Sequence, residues 1–565
     1  MTNNTVSGVA SKKSWMSSLT RLLFLDTIEA VTDNATSSRN ERAHRIYTIT
    51  EWVISISLLT YALFAPHSIA ITQTAYLIGF VAWGVQIAVS RKLPFKRSPV
   101  DIALFGFFAC CVVSSFLSYD LLVSVKGLKS PAFFLAFYFV SNKVRRVRFA
   151  RLLVFALVGS CLINVGYSAV KLGIGRGLQI NTIRPDSPFN EGSILPNDVI
   201  LEADDQEVNT KQDLLRVIES QRGRLRLKLG RREALVDTSI ARQAIRGAEG
   251  VGFERLGITT SPGRNFRVMG FYSHYETYAE VLQLIAALAV GLLMATPNKR
   301  SSAAFFLTLA IPLLAITLIL TSTRAALAGL GIAVFVMALA SSRRRVLVVS
   351  IATILIVLPL ALVAVERARG ISVFDPDEGS TAYRLEVWRE AFGIIKDHPL
   401  LGIGKGSEAK LKRSLGLYDE GRLPPGHFHS TPVQIAVWWG LFGLIFYCSF
   451  MTILIVETWR LIKSTKKQSK WQLSGIALGG LGAVLAFNVS SFAHFNFGDG
   501  EVVMAFWLLT GLVFAIRRIE SETSDPARSE NKEDRRSSDN SDRSQLQEQP
   551  AAFGSSVRAA KAKHN

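Results

Sequence analysis

Apolar residues gather along this chain into runs of roughly 18 to 22, separated by short polar or basic stretches. Runs of that length match the hydrocarbon thickness of a bilayer, so each predicts a membrane-crossing helix. They fall near 49–66, 69–90, 99–118, 123–141, 149–170, 275–295, 302–321, 325–341, 346–365, 431–457, 473–491 and 501–516, about twelve spans. Residues 123–141 make the weakest, because Lys126 and Lys129 interrupt them. Residues 1–48 are polar and basic and hold no apolar stretch followed by a small-residue cleavage site, so they do not read as a secretory signal peptide. From Ile519 onward Ser, Glu, Asp, Arg and Gln dominate, and residues 519–565 are expected to be a disordered tail.

Between the fifth and sixth runs the period changes. Residues 171–245 alternate apolar and polar positions at strand spacing, with turns at Pro185 and Asn197-Asp198. A helix is expected from about Thr210 to Glu219, with Thr210 as cap, Asp213 in its first turn and Leu214, Leu215, Val217 and Ile218 for packing. A strand pair follows in RLRLKLGRREALVDTSI. The stretch SPF…GSILPNDVILEADDQEV resembles the signature of a bacterial-type PDZ domain, with Asn197 where the family usually has Gly. That resemblance implies a small α+β insert whose loop near Gly175, Gly177 and Leu178 cradles a peptide C-terminus while the peptide adds a strand. The alternative is an insert that only packs on the membrane domain. Residues 246–272 read as a linker into the core.

The charge balance, 64 Lys+Arg against 44 Asp+Glu, gives +20 in a chain that is only 19% charged. In a soluble protein such an excess would suggest nucleic acid. Here it sorts by side: Arg91, Lys92, Lys96 and Arg97, then Lys143 to Arg151, then Lys299-Arg300, Arg343–Arg345 and Arg460 to Lys470 fall on alternate connections. The turns near His67, Tyr119, Thr323 and Phe495 carry almost none. This is the positive-inside bias, so the excess reads as topology and no nucleic-acid partner is expected. Both termini then lie in the cytoplasm, with residues 171–272 and 367–430 outside. The four cysteines all sit within apolar runs, which disfavours a disulfide scaffold or a zinc module.

Candidate chemistry lies at the outer ends of the spans. Arg324 stands at a junction between two runs, where an ionisable group is costly unless it snorkels or faces a polar cavity. Arg267 precedes GFYSHYETYAE, whose polar residues Ser273, His274, Glu276, Thr277 and Glu280 open a span that should line a cavity. In residues 384–392, Leu385, Trp388, Ala391 and Phe392 recur at helical spacing, predicting an amphipathic helix with Arg384 and Trp388 on one face. Pro399 and the glycines at 402, 404 and 406 read as a tight turn more readily than as a phosphate loop. His427 and His429 precede the tenth run; the neighbouring acids Asp419 and Glu420 complete no recognisable ligand spacing, so proton transfer suits them better than metal. Asp375 and Asp377 read as solvated acids. Neither a metal nor a cofactor is expected.

Four motifs in order carry a family resemblance. His429-Ser430, nine residues, then Gly440-Leu-Phe-Gly443; Arg384…Trp388…Pro399-Leu-Leu-Gly-Ile-Gly404; Ser322-Thr-Arg324-Ala325; and Arg267…Gly270-Phe271…His274 together resemble the O-antigen ligase and polymerase family of bacterial envelope glycosyltransferases. The resemblance covers roughly 49–170 and 246–518. It implies an all-α polytopic membrane protein, with helices 1–5 in 49–170, helices 6–9 in 273–366, an outer loop over 367–430 and helices 10–12 in 431–518. The implied setting is the bacterial inner membrane, with the active site facing the periplasm. The implied partners are an undecaprenyl-diphosphate-linked glycan, an acceptor lipid or glycan, and membrane lipid. The implied roles put Arg267, Arg324 and Arg384 on the diphosphate, His429 as base, and His274, Trp388 and His427 in substrate binding. Ligase, polymerase and protein O-glycosyltransferase remain open, as does a lipid-linked glycan transporter. A zinc intramembrane protease is disfavoured, since no HExxH string occurs.

Overall fold

The structure is a computed structural model that describes residues 38–523, apart from 92–96, 221–222, 232–233, 265–266, 370–378, 413–415, 418–425 and 466–469. It divides into two units, residues 1–515 and 516–565. In the second, the described residues are helical, with Arg518 Nε 4.0 Å from Glu522 Oε1.

The membrane-type helices are α1 (Ser38–Phe64), α2 (Ile69–Ser90), α3 (Asp101–Phe116), α4 (Leu121–Gly127), α5 (Leu135–Lys143) and α6 (Val147–Ile174). After the insert come α9 (Tyr275–Ala295), α10 (Ser302–Leu320), α11 (Arg324–Ser341) and α12 (Arg344–Arg369). The last group is α15 (Thr431–Thr465), α16 (Trp471–Ser491) and α17 (Gly500–Thr523). Among the described residues eleven helical stretches are long and apolar enough to cross a membrane, and α3 is a shorter apolar one of 16 residues. Several expected bounds shift. Helix α1 starts at Ser38 and not near 49, and α17 continues to Thr523, past the expected start of the tail at 519. The weakest run is broken: α4 ends at Gly127, and a 3₁₀ turn at Pro131–Phe134 precedes α5. Pro131 has no N–H to continue a helix, and Lys126 sits in the last turn of α4, where a cation is favoured.

At the centre, α9 packs on α16 with their backbones nearly touching. A side chain at Gly291 would meet the Gly479 nitrogen at 2.2 Å, and one at Gly479 would meet Leu288 Cα at 2.7 Å. Apolar surface gains little by leaving lipid, so close backbone approach between small residues is what joins such helices.

The insert is an antiparallel sheet of β1 (Leu178–Ile183), β2 (Val199–Ala203), β3 (Gln206–Glu207), β4 (Arg224–Arg231), β5 (Ala234–Ala241) and β6 (Ile258–Pro262), in the order β5-β4-β2-β1-β6, with β3 on β2. Helix α7 (Lys211–Ser220) packs Leu214, Val217 and Ile218 into a core with Ile180, Phe189, Ile200, Leu227 and Ile240. Thr210 and Asp213 cap it reciprocally: the Asp213 carboxylate accepts the Thr210 N–H at 2.9 Å, and Thr210 Oγ1 accepts the Asp213 N–H at 3.1 Å. Asn197 takes φ +75°, the left-handed geometry that Gly would otherwise supply. The short helix α8 (Arg242–Gly247) follows β5. The insert therefore runs beyond 245: β6, drawn from the expected linker, pairs with β1 from Leu178↔Pro262 to Ile183↔Ile258.

Two further helices, α13 (Gly379–Asp397) and α14 (Ser407–Leu411), lie between α12 and α15. The stripe that α13 buries is Val387, Ala391 and Ile394. Leu385 and Phe392, which share the predicted helical spacing, are 53% and 59% exposed and lie off that buried stripe.

Candidate active site

The site gathers at the end of the bundle that carries the insert. Helix α15 is bent there, since Gly440 takes φ +67° and ψ −173° inside it. The break frees backbone groups, and the turn after α13 satisfies them. The Leu441 N–H donates to the Pro399 carbonyl at 2.7 Å, and the Ile403 and Gly404 N–H groups donate to the Val437 and Trp438 carbonyls, each at 2.9 Å. Irregular backbone at this depth persists only when its polar groups are met within the protein. The glycines at 402 and 404 thus form a docking turn and not a phosphate loop.

Just before α15, residues 427–429 make a strained bend with His429 at φ +48°. Trp388 of α13 donates its indole N–H to the Phe428 carbonyl at 2.7 Å, and Gln434 accepts the Phe428 N–H at 2.9 Å. Both clamp the bend. The two imidazoles lie 4.2 Å apart by ring centroid, and Tyr383 stands edge-on to His429 at 5.5 Å. His429 Nδ1 is buried without a hydrogen-bond partner among the described residues. Burial above all, then the neighbouring His427, pushes His429 down to about 3; Glu276 opposes this and Arg384 adds to it. His427 is lowered too, again chiefly by burial.

Facing this bend is the first turn of α9. Glu276 Oε1 lies 3.8 Å from the Arg384 guanidinium and 3.5 Å from His494 Nε2, while its Oε2 lies 3.9 Å from His274 Nδ1. One turn deeper, Glu280 Oε1 lies 2.7 Å from His494 Nδ1. The rest of the Glu280 carboxylate is satisfied by Gln283, by Ser490 at 2.8 Å and by Asn496 at 3.3 Å. Burial disfavours charge on His494, but Glu276 and Glu280 outweigh it and hold its pKa above the usual value. Thr431 ties this group to α15 by donating to Asn496 Oδ1 at 2.9 Å.

Arg267 approaches from a strap leading into α9. Its guanidinium stacks over the Tyr275 ring at 4.2 Å, and His274 stacks on the same residue at 4.3 Å. The Val268 N–H donates to the Leu320 carbonyl at 3.2 Å, so the strap lies on the turn from which Arg324 starts α11. The Phe271 N–H donates to Asn164 Oδ1 at 3.1 Å, and Tyr272 donates to the Ala65 carbonyl at 3.1 Å.

The structure thus brings Arg384, His427, His429 and His274 around Glu276, with Trp388 supporting the bend. Arg267 stands one ring away, and Arg324 stands beside the strap. Sequence reasoning missed His494, Asn496 and Gln283 altogether, and it read Glu276 and Glu280 only as cavity lining. The signals it passed over were the i,i+4 spacing of those two acids and a histidine in the short turn between α16 and α17. Asp375, Asp377, Asp419 and Glu420 lie outside the described residues.

Residues 309–448 match the family model described as O-antigen ligase. They contain Arg324, Arg384, Trp388, His427, His429, the docking turn and the Gly440 bend. The chain carries an O-antigen ligase domain. Residues 135–240 match the PDZ domain model, which makes the sheet unit a PDZ domain set into a polytopic helical protein. That match starts on α5 and stops before β6. No curated protein matches the chain. The O-antigen ligase match takes in the arginines of α11 and α13 and both histidines of the bend. Arg267, Glu276, Glu280 and His494 lie outside it and join the site through the fold.

Proposed function

We propose that this chain is a glycosyltransferase of the ligase type, moving a glycan from undecaprenyl diphosphate to an acceptor hydroxyl of lipid A-core or a similar glycolipid. The observation that carries the reading is that Arg384 and His429 both approach Glu276 at one bundle end. A permanent planar cation and an imidazole whose buried Nδ1 has no hydrogen-bond partner among the described residues stand close together there.

The chemistry follows from those groups. The acceptor oxygen attacks the anomeric carbon, and the bond from that carbon to the phosphate oxygen breaks with both electrons leaving on the diphosphate. Arg384, with help from Arg267 and Arg324 of the strap and its neighbouring turn, would bind that growing charge through paired N–H donors. His429 takes the acceptor proton. A pKa near 3 leaves its lone pair free at neutral pH, though weakly basic. A bound diphosphate would offset the repulsion from His427 and Arg384, so basicity rises where it is needed. A single displacement inverts the anomeric carbon. His274, His427 and Trp388 serve substrate binding and support of the bend.

An apolar groove of about 530 Å³ between α9, α10, α11 and α12 supports a lipid-linked donor. Its lining includes Leu318 and Leu327, each within four residues of the turn that bears Arg324. The basic residues Arg343–Arg345 and Lys299-Arg300 cap the other end of these helices, a charge bias that supports reading the site as non-cytoplasmic. Purified protein in detergent, given lipid-linked glycan and acceptor without any gradient, should release polyprenyl diphosphate and form the joined product. Absence of product from a folded, donor-binding preparation overturns the assignment.

A further inference from the structure

The broken span formed by α4 and α5 gathers ammonium groups that the transfer chemistry above does not use. Helix α4 lies at the same end of the bundle as the histidine bend, because Ser114 near the end of α3 donates to the Trp438 carbonyl at 2.8 Å. The docking turn packs into the α3–α4 hairpin, where Ser124 Oγ donates to the Lys405 carbonyl at 2.8 Å. From there the Lys405 side chain crosses the break. Its Nζ lies 3.4 Å from the Gly127 carbonyl and 5.2 Å above the Trp438 ring. A long hydrogen bond and a ring face are weak partners for a half-buried cation. Burial pushes the Lys405 pKa down, against the opposing pull of Cys111 and Glu408. The Glu408 carboxylate is committed elsewhere: it accepts the Trp438 indole N–H at 2.9 Å, and burial pushes its pKa up. Asp120 is likewise occupied, capping α4 at the Val123 N–H. Lys126, in the last turn of α4, and Lys129, just beyond it, are exposed at the same break. Lysines one or two turns inside a span are costly unless they meet water or an anion.

We propose that Lys405, Lys126 and Lys129 form a second anion subsite at this break, which binds a phosphate on the headgroup of the acceptor lipid. The inference rests on the transferase reading above and adds to it that the acceptor is a phosphorylated glycolipid. Trp438 separates the subsite from the reacting groups: its ring meets Phe495 at 5.1 Å, and Phe495 meets His427 at 5.6 Å. A phosphate on Lys405 therefore stands two rings away from the histidine bend. The donor's diphosphate does not fit that position, since it is bonded to the anomeric carbon that must reach the base. An acceptor can span the gap, because the sugars of its headgroup lie between the lipid phosphate and the attacking hydroxyl. Leu121 and Leu122, exposed beside the lysines, suit its acyl chains. Ammonium groups on flexible stems suit the phosphate as point charges, whereas the arginines serve the planar fork at the reacting centre. Discontinuous membrane helices are a recurring place for such sites, since the break opens polar groups at depth.

The test uses the full chain in detergent and measures binding of bisphosphorylated lipid A, the same lipid stripped of phosphate, phosphatidylglycerol and undecaprenyl diphosphate. Lys405→Gln should weaken binding of the bisphosphorylated lipid about tenfold, and Lys405→Arg should restore most of it. Lys126→Gln combined with Lys129→Gln, both at exposed positions, should weaken it as well and guards against a folding effect at Lys405. The phosphate-free lipid should bind the unsubstituted chain as weakly as the bisphosphorylated lipid binds Lys405→Gln. Undecaprenyl diphosphate should bind every variant alike. Unchanged affinity in both Gln variants overturns the proposal. So does an equal loss for undecaprenyl diphosphate or for phosphatidylglycerol, which would make the lysines a donor site or a general anionic-lipid contact. Product formation with an unchanged acceptor KM in the variants would leave the transferase reading standing and sink this subsite. Phosphate-dependent binding through Lys405 without any product would do the reverse.

Discussion

His494 and Glu280 stand 214 positions apart in the chain and 2.7 Å apart in the fold, imidazole Nδ1 to carboxylate Oε1. The other nitrogen of the same ring faces Glu276 at 3.5 Å, and Glu276 faces Arg384 at 3.8 Å. An imidazole held between two carboxylates, which raise its pKa, therefore anchors the acid that stands against the proposed diphosphate-binding arginine.

Glu280→Gln should disturb that chain without changing its shape. His494 has a raised pKa in the fold, so the stability it contributes is fully present below its unfolded value of about 6.5 and fades as pH rises through the folded value. The melting temperature of Glu280→Gln should therefore fall furthest below the unsubstituted chain under mildly acidic conditions, and the gap should narrow toward alkaline pH. The alkaline limb of the transfer rate should also move to lower pH. A gap that does not vary with pH would make Glu280 a packing residue only.

Arg384→Lys keeps the charge and loses the fork. Donor affinity should weaken about tenfold, the equivalent of roughly 1.4 kcal/mol. Glu276→Gln should not weaken it, because the carboxylate competes with phosphate for the same guanidinium. Titration of polyprenyl diphosphate into each purified variant reads this directly, and unchanged affinity in Arg384→Lys counts against the fork.

Gly440→Ala should destabilise the protein by about 1–3 kcal/mol, since a Cβ there lies 2.1 Å from the Leu400 carbonyl oxygen at a positive φ. Gly331→Ala, in α11 with open space around it, serves as the control and should be neutral or stabilising. Thermal unfolding in detergent distinguishes them.

Much of this fold is written in run length. Bilayer thickness fixes how many apolar residues a crossing needs, so most spans were legible, as were the α7 cap and the strand-period insert. What depends on distant partners was not. Ile258 to Pro262 reads as a polar linker because the strand it completes lies some eighty residues earlier. Leu385 and Phe392 share the periodicity of a packed face and remain exposed, since spacing does not reveal what a face meets. Arg384, His429 and Trp388 stood out through a motif resemblance. His494 had no such signal, because its meaning arises only where α9 and the α16–α17 turn meet.

Donor binding and transfer measured side by side for His429→Ala test the central claim most directly. The site geometry predicts polyprenyl-diphosphate affinity close to that of the unsubstituted chain, with glycan transfer slowed by roughly 10² to 10⁴, the usual worth of a positioned base. Transfer at the unsubstituted rate by a folded His429→Ala protein would contradict it.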